Sequence, residues 1–214
     1  MIENSSGLIL RTRPFTETSM VVHWLTKDLG RIATVAKGAL RPKSPFRGKL
    51  DLYYQGDFSF ERSRRSDLHF LREVKIRQMN TALRYELGYL RQASYCTSLI
   101  EQTTETETPL PAIYDLMNSM LHSILEVPPQ NQTTLAFELK LTHELGLVPN
   151  LAHTRLTPGS REIFKGLLEK PWQAILRLRL SDSQTGELSQ FLHGFLIYHL
   201  GKVPKGRGTK FPCG

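Results

Sequence analysis

The sequence predicts an α+β protein, in which an N-terminal five-stranded β-barrel is followed by an α-helical bundle. Residues 1–80 contain five short segments rich in β-branched and aromatic residues. From residue 81 onward, apolar residues recur at three- and four-residue spacing, which is typical of amphipathic helices. With 214 residues, of which 40% are hydrophobic, the chain can bury a core in one large or two small domains.

The predicted strands are separated by turns and by one unusually long connection, between the third strand and the fourth. Five strands within about 75 residues fit a small closed or partly open barrel, of which the OB-fold is the commonest. A five-stranded SH3-like barrel fits the number of strands nearly as well. The predicted strands are residues 7–13, 18–26, 31–36, 50–61 and 68–76.

The second part of the chain is predicted to form a bundle, because each of its helices carries one apolar stripe. We divide the chain into an OB-fold domain, residues 1–80, and a helical domain, residues 81–214. In residues 172–180, however, apolar and polar residues alternate, which favours a strand, although a helix in the context of the bundle is the alternative. The predicted helices are residues 81–101, 112–126, 133–145, 160–168 and 188–200.

Charge is distributed in three blocks along the chain, whose formal net charge is +8. Lys and Arg outnumber Asp and Glu by 15 to 8 in residues 1–80, are outnumbered by 3 to 8 in residues 81–150, and exceed them by 10 to 4 in residues 151–214. Separate modules for a polyanion and for protein partners would explain this segregation, whereas solubility alone would not. The basic tail, residues 202–210, is predicted to be a flexible extension, either a phosphate-contacting arm or solvated disorder.

The long connection after the third strand is the most basic part of the sequence. Residues 37–49 contain five cations and no acid, and their glycines and prolines prevent a helix. Such cations repel one another and gain most from a polyanion, which points to nucleic acid. The alternative is a solvated loop that keeps the protein soluble. The five cations are Lys37, Arg41, Lys43, Arg47 and Lys49.

Further candidate DNA contacts lie on either side of this connection. Arg11 and Arg13 are on the first strand, and a second cluster of Arg62, Arg64 and Arg65 follows the fourth strand, either beside the basic connection or far from it. OB-folds also stack bases on aromatic rings. Alternation along a strand predicts that most aromatic side chains are core, but one of the two adjacent tyrosines could face outward. The aromatic candidates are Trp24, Tyr53, Tyr54, Phe58 and Phe60.

The sequence contains no arrangement of residues that points to catalysis. Gly38 and Lys43 resemble part of a phosphate-binding P-loop, but Pro42 occupies the place of the glycine that a nucleotide-dependent enzyme would need there. Cys96 and Cys213 form neither a disulfide framework nor a metal-ligand pair. We therefore expect no enzyme and no cofactor. Because no apolar run has transmembrane length and no signal peptide is visible, we expect a cytoplasmic protein without a membrane partner.

Several segments of the sequence resemble the bacterial RecO family of recombination mediators, and they occur in the family's order over most of the chain. The Val-Ala-Lys-Gly stretch is the most specific of them. The segments are residues 7–10 (Gly-Leu-Ile-Leu), 17–22 (Glu-Thr-Ser-Met-Val-Val), 30–38 (Gly-Arg-Ile-Ala-Thr-Val-Ala-Lys-Gly) with Lys43-Ser44, 137–141 (Phe-Glu-Leu-Lys-Leu) and 146–149 (Gly-Leu-Val-Pro).

The resemblance implies a non-enzymatic DNA repair mediator that is associated with the nucleoid. Such a protein binds single- and double-stranded DNA, anneals complementary strands and, with RecR, helps to load RecA onto DNA coated by the single-stranded-DNA-binding protein. Helical surfaces of the family bind the acidic C-terminal tail of that coating protein. Many members carry a four-cysteine zinc site, but residues 150–158 contain no cysteine, so we expect no zinc and a shortened C-terminal region. The alternative is an RNA- or ribosome-associated OB-fold protein, because OB-folds bind both polymers.

Overall fold

The structure, a computed structural model, describes residues 1–151 and 154–207. Their contacts define two units. The first contains Met1–Thr81 together with Thr104–Asp115, and the second contains Ala82–Thr103 and the chain from Leu116 onward. The first unit is built from strands and the second from helices, so the predicted α+β class is confirmed.

The five strands of the first unit close into a barrel with the order β1-β2-β3-β5-β4. Neighbouring strands are antiparallel except for β3 and β5, which pair in parallel from Ala33 opposite Leu68 to Val35 opposite Phe70. This five-stranded arrangement confirms the predicted OB-fold rather than the SH3-like alternative. The strands are β1 (Ile2–Pro14), β2 (Met20–Thr26), β3 (Arg31–Ala36), β4 (Gln55–Glu61) and β5 (Leu68–Gln78).

The barrel core contains the aromatic residues that were candidates for base stacking. Trp24 stacks on Phe58 with 4.1 Å between the ring centroids, and its indole N–H donates to Thr34 Oγ1 at 2.9 Å. Tyr53 and Tyr54 are both buried, because Tyr53 has a φ of 63° and so interrupts the alternation that an extended strand would impose. The prediction that most of these aromatic side chains are core is therefore confirmed, and neither tyrosine faces outward, since all five candidate rings are buried.

A segment that follows the first long helix packs with the barrel. The backbone N–H of Glu107 donates to the carbonyl of Arg31 at 2.8 Å, and Arg31 Nε donates to Thr104 Oγ1 at 2.7 Å. Gly30 has a φ of 70°, and a Cβ atom there would lie 2.0 Å from the carbonyl oxygen of Thr108. The contact therefore requires glycine at this position. The division of the chain after residue 80 stays a prediction.

The second unit contains the helices, with the exception of the first residues of α2. The strand predicted at residues 172–180 is wrong: Trp172–Ile175 form a single helical turn. Burial of Trp172, Ile175 and Leu176, three and four residues apart, outweighs the alternating pattern. The other predicted helices are confirmed. The helices are α1 (Leu87–Thr103), α2 (Pro111–Ser123), α3 (Asn131–Glu144), α4 (Pro158–Glu169), α5 (Trp172–Ile175) and α6 (Asp182–Leu200), with 3-10 turns at Thr81–Arg84 and Ile124–Glu126.

A buried ion pair holds the last described residue in place. Arg207 Nε lies 2.6 Å from Glu138 Oε1, and Arg207 Nη2 lies 2.8 Å from Glu138 Oε2. Arg207 also donates to the carbonyl of Ser189 at 2.9 Å, and the Tyr95 hydroxyl bonds to Glu138. Burial, together with the Glu138 charge, raises the pKa of Tyr95 well above its ordinary value. The prediction of a flexible basic tail is therefore wrong at Arg207, while Lys210 lies outside the described residues.

We expect Arg207→Met to lower the free energy of unfolding by about 3–5 kcal/mol, because it leaves the Glu138 carboxylate buried without its cation. Urea denaturation measures this change. The double variant Arg207→Met/Glu138→Met should recover most of the loss, since a buried pair can be replaced by apolar groups at little cost. Lys205→Met at an exposed neighbouring position is the control. A loss below about 1 kcal/mol in Arg207→Met would contradict the role of the pair.

Candidate nucleic-acid interface

The basic loop, residues 37–49, is an ordered series of tight turns. Backbone N–H groups along it donate to the carbonyl three residues earlier: Arg41 to Gly38 at 3.1 Å, Ser44 to Arg41 at 3.0 Å, and Arg47 to Ser44 at 3.2 Å. Gly38 has a φ of 69°, which favours glycine at the first turn. The loop connects β3 to β4, two strands that are not neighbours because β5 lies between them in the barrel.

A single apolar side chain anchors this loop. Phe46 is only 7% exposed and packs in the barrel core with Trp24 and Tyr54, while Ala39 and Leu50 pack against the edge of the same cluster. Phe46 and Ala39 pack towards the barrel, whereas four of the five charged side chains are exposed on the outer side. The anchor therefore determines which way the loop presents its charge.

The cations of the basic loop are the strongest candidates for contacts with phosphate. Lys37, Arg41, Lys43 and Arg47 are exposed and Lys49 is half-buried. Within residues 1–151 and 154–207, none of the five forms an ion pair with a carboxylate. The loop therefore carries a concentrated positive charge without a direct carboxylate partner among these residues.

Two further predicted contacts, Arg11 and Arg13, lie on β1. Both are exposed. Arg13 is opposite Val21 on β2, and Val21 is opposite Val35 near the end of β3. The register therefore places Arg13 at the end of the barrel from which the basic loop starts, and Arg11 lies two residues further along the same strand.

The second arginine cluster lies away from the basic loop; its members are Arg62, Arg64 and Arg65. β5 starts at Leu68 opposite Ala33, so the connection that precedes β5 lies towards the start of β3, whereas the basic loop leaves its end. Arg64 and Arg65 are exposed there.

The Arg62 guanidinium forms ion pairs with two carboxylates. It lies 2.7 Å from Glu3 and 2.7 Å from Glu107, and the hydrogen bond to Glu3 raises the pKa of the Arg62 guanidinium. The Glu107 carboxylate also lies 2.8 Å from Nε2 of the buried His69. Arg62 therefore holds the segment around Glu107 against the strands, and it is a weaker candidate for DNA contact than the other cations.

Three residues at this end of the barrel are absent from the sequence-based candidates. Phe15 is exposed in the β1–β2 turn, and Phe70 is half-buried on β5 below Lys37. Arg72 is exposed and pairs with Glu61, which holds the pKa of that carboxyl below its usual value. No local signal marks these residues, because they come together only when the strands close.

Neither a metal centre nor a membrane span is found in the part of the chain that the structure describes. No three His, Cys, Asp or Glu side chains gather there in a way that could hold a metal ion. The chain has only two cysteines, so it cannot supply the four that the family's zinc site uses. Cys96 is buried, and burial raises the pKa of its thiol. None of the described helices is both long and apolar enough to cross a membrane.

An OB-fold barrel followed by helices places the chain among the α+β OB-fold proteins. Comparison with known families narrows this class. The family model described as "Recombination protein O N terminal" matches residues 1–80, and the one described as "Recombination protein O C terminal" matches residues 84–157. The chain belongs to the RecO family.

Relatives named DNA repair protein RecO are similar to much of the chain. The protein from Exiguobacterium sibiricum is 25% identical over 207 residues, which are 95% of this chain and 82% of that relative. The protein from Rhodopirellula baltica is 33% identical over 143 residues, 67% of this chain and 53% of the relative. The protein from Bacillus subtilis is 26% identical over 153 residues, 72% of this chain and 59% of the relative. The match thus covers little more than half of the length of the last two.

We expect Phe46→Ala to lower the free energy of unfolding by about 3–5 kcal/mol and to loosen the basic loop, because the substitution removes the loop's apolar anchor. Hydrogen exchange of the amides of Arg41, Ser44, Arg47 and Lys49 should become faster than in the unmodified protein. Leu52→Ala, at a more exposed site in the same connection, is the control. If exchange in the loop stays unchanged while the protein is destabilised, Phe46 is not the anchor.

Proposed function

We propose that this protein is a non-enzymatic mediator of recombinational DNA repair, which binds DNA through the basic loop. The main support for this proposal is the anchored basic loop, whose five cations have no carboxylate partner among the described residues. Phosphates of DNA would supply the missing counter-charge, and the release of condensed ions from the DNA would drive binding. Membership of the RecO family supports this assignment.

The proposed DNA surface extends from the basic loop onto β1. Arg13, and beyond it Arg11, continue the positive charge along the outer surface of the barrel. Arg64 and Arg65 lie towards the other end of β3 and would contact only a strand that follows the barrel wall. Contacts with phosphates carry no sequence information. Because single and double strands both carry phosphates, the surface can bind either.

Strand annealing follows from the same electrostatics. Two DNA strands repel each other through their phosphates, and a surface that neutralises some of these charges allows complementary bases to meet. No covalent bond is made or broken, so the proposal needs no catalytic residue.

We also propose partners for this protein, which are those that the resemblance to the RecO family implies. We propose that the protein acts in the cytoplasm at the nucleoid, and that its helical part receives the acidic C-terminal tail of the single-stranded-DNA-binding protein. With RecR, it would then help to load RecA onto the coated DNA. The match of residues 84–157 to the C-terminal family model supports a shared role for these helices.

The first test is the salt dependence of DNA binding. We expect the variant with Arg41, Lys43, Arg47 and Lys49 changed to Ala to flatten the log–log slope of single-strand affinity against salt by about 2–3, because each lost phosphate contact accounts for about 0.7. Fluorescence anisotropy with a labelled oligonucleotide measures the slope.

The matched control removes the same number of charges from the helical unit. Its four substitutions are at exposed positions, and it should leave the slope nearly unchanged. Equal flattening in both variants would mean that the basic loop is not the binding site. An RNA oligomer of matched sequence that competes at a lower concentration than the DNA would contradict the assignment to DNA. The control substitutions are Lys165→Ala, Lys170→Ala, Arg177→Ala and Arg179→Ala.

The second test is strand annealing. The unmodified protein should accelerate the pairing of complementary oligonucleotides in low salt, and the loop variant should lose most of this acceleration because the strands keep their repulsion. A fluorophore and a quencher on the two strands follow the reaction. Full acceleration by the loop variant would contradict the proposed mechanism of annealing.

A further inference from the structure

A cleft opens between the β1–β2 turn and the start of the basic loop. It has a volume of about 370 Å³, which lies within the range of small-molecule sites. Phe15 and Ser19 line it from the turn, Lys37 and Arg41 from the loop, and Phe70 from β5. The cleft thus combines two aromatic rings with two cations. These are the two kinds of group that proteins use to hold a single strand of nucleic acid.

Phe15 is the unusual residue of this cleft, because its large apolar side chain is 54% exposed on an ordered turn. The Phe15 N–H donates to the carbonyl of Ser19 at 2.9 Å, and Thr16 Oγ1 accepts from the N–H groups of Thr18 at 3.4 Å and Ser19 at 3.1 Å. The turn is also tied to the basic loop, since Leu40 N–H donates to the carbonyl of Thr18 at 3.0 Å. The ring is therefore presented to solvent on a backbone that is already fixed.

Phe70, Lys37 and Arg41 line the cleft together with Phe15. The Lys37 Nζ atom lies 4.3 Å from the centroid of the Phe70 ring, which holds the ammonium group at the cleft by a cation–π contact. Arg41 lines the same cleft and forms no ion pair within the described ranges. Glu17 belongs to the turn but does not line the cleft. An uncharged, flat group between two flanking anions fits these surroundings.

We propose that this cleft binds one unstacked base of a single strand, with the base against Phe15 and the neighbouring phosphates on Lys37 and Arg41. The inference rests on the proposed function and specifies its substrate class. Bases in a duplex are already paired and stacked, so their faces cannot reach the Phe15 ring, whereas a single strand can turn a base outward. The basic loop then binds any DNA, and the cleft adds affinity for single strands.

The test compares Phe15→Ala with the unmodified chain on single- and double-stranded DNA of equal length. Loss of one stacked base should weaken single-strand binding by about 5- to 100-fold and change duplex binding by less than about twofold. Leu40→Ala is the matched control, because Leu40 is 45% exposed in the same loop but does not line this cleft. A Phe15→Ala variant that binds single strands as well as the unmodified protein overturns the inference.

A second variant reports stacking directly. Trp24 and Trp172 are buried, so in Phe15→Trp the new indole is the exposed fluorophore among the described tryptophans. An oligothymidylate should quench its fluorescence, whereas an abasic oligomer of the same length should bind more weakly and leave it unquenched. Equal quenching by both oligomers, or quenching by neither, overturns the inference.

Different results would overturn the proposed function and the base-binding cleft. If the loop variant flattens the salt slope but Phe15→Ala keeps full single-strand affinity, the basic loop stays the DNA site and only the base-binding cleft is wrong. If the loop variant keeps the full slope, the proposed function is wrong whatever Phe15→Ala does.

Discussion

The parallel pairing of β3 with β5 determines where the chain between β3 and β4 has to run. Because β5 lies between β3 and β4, the chain that leaves Ala36 has to cross the barrel before β4 begins at Gln55. Phe46 enters the core partway along this crossing and leaves the charged residues on the outer side. The position of the basic loop is therefore a consequence of topology and of one apolar anchor, and it does not depend on attraction between the loop and acidic groups of the same protein.

Several carboxylates of the barrel pair with arginines that lie outside the basic loop. Glu61 pairs with Arg72, and Asp57 pairs with Arg77, both along neighbouring strands. Glu3 pairs with Arg62, in the connection before β5. These three acids therefore pair directly with arginines outside the basic loop, although Glu17 lies in the β1–β2 turn and Glu61 lines a pocket with Lys37. Exposed pairs of this kind contribute little stability, but they distribute charge over the surface.

Local patterns in the sequence predicted the parts of the structure that local chemistry determines. The bounds of β3 agree with the short buried strand that the apolar and small residues of 31–36 predict, and the loop's cations stand out because no acid lies among them. Two positions depend instead on the closed barrel. The left-handed backbone of Tyr53 buries a ring that regular alternation would expose. Phe15 and Phe70 line the same cleft only because of the strand register. Local composition predicts a flexible extension at Arg207, because its partner, Glu138, is distant in the sequence.

In the proposed complex DNA covers the cations of the basic loop, so the chemical reactivity of individual lysines reports on this contact. Acetylation of the whole protein with and without a single-stranded oligonucleotide, followed by mass spectrometry, gives the change in rate at each lysine. We predict that Lys37, Lys43 and Lys49 react more slowly with DNA present, while Lys75 on β5 and Lys165 on α4 react at the same rate. Unchanged rates at the three loop lysines, with slower reaction at Lys75 or Lys165, would show that DNA binds elsewhere than at the basic loop.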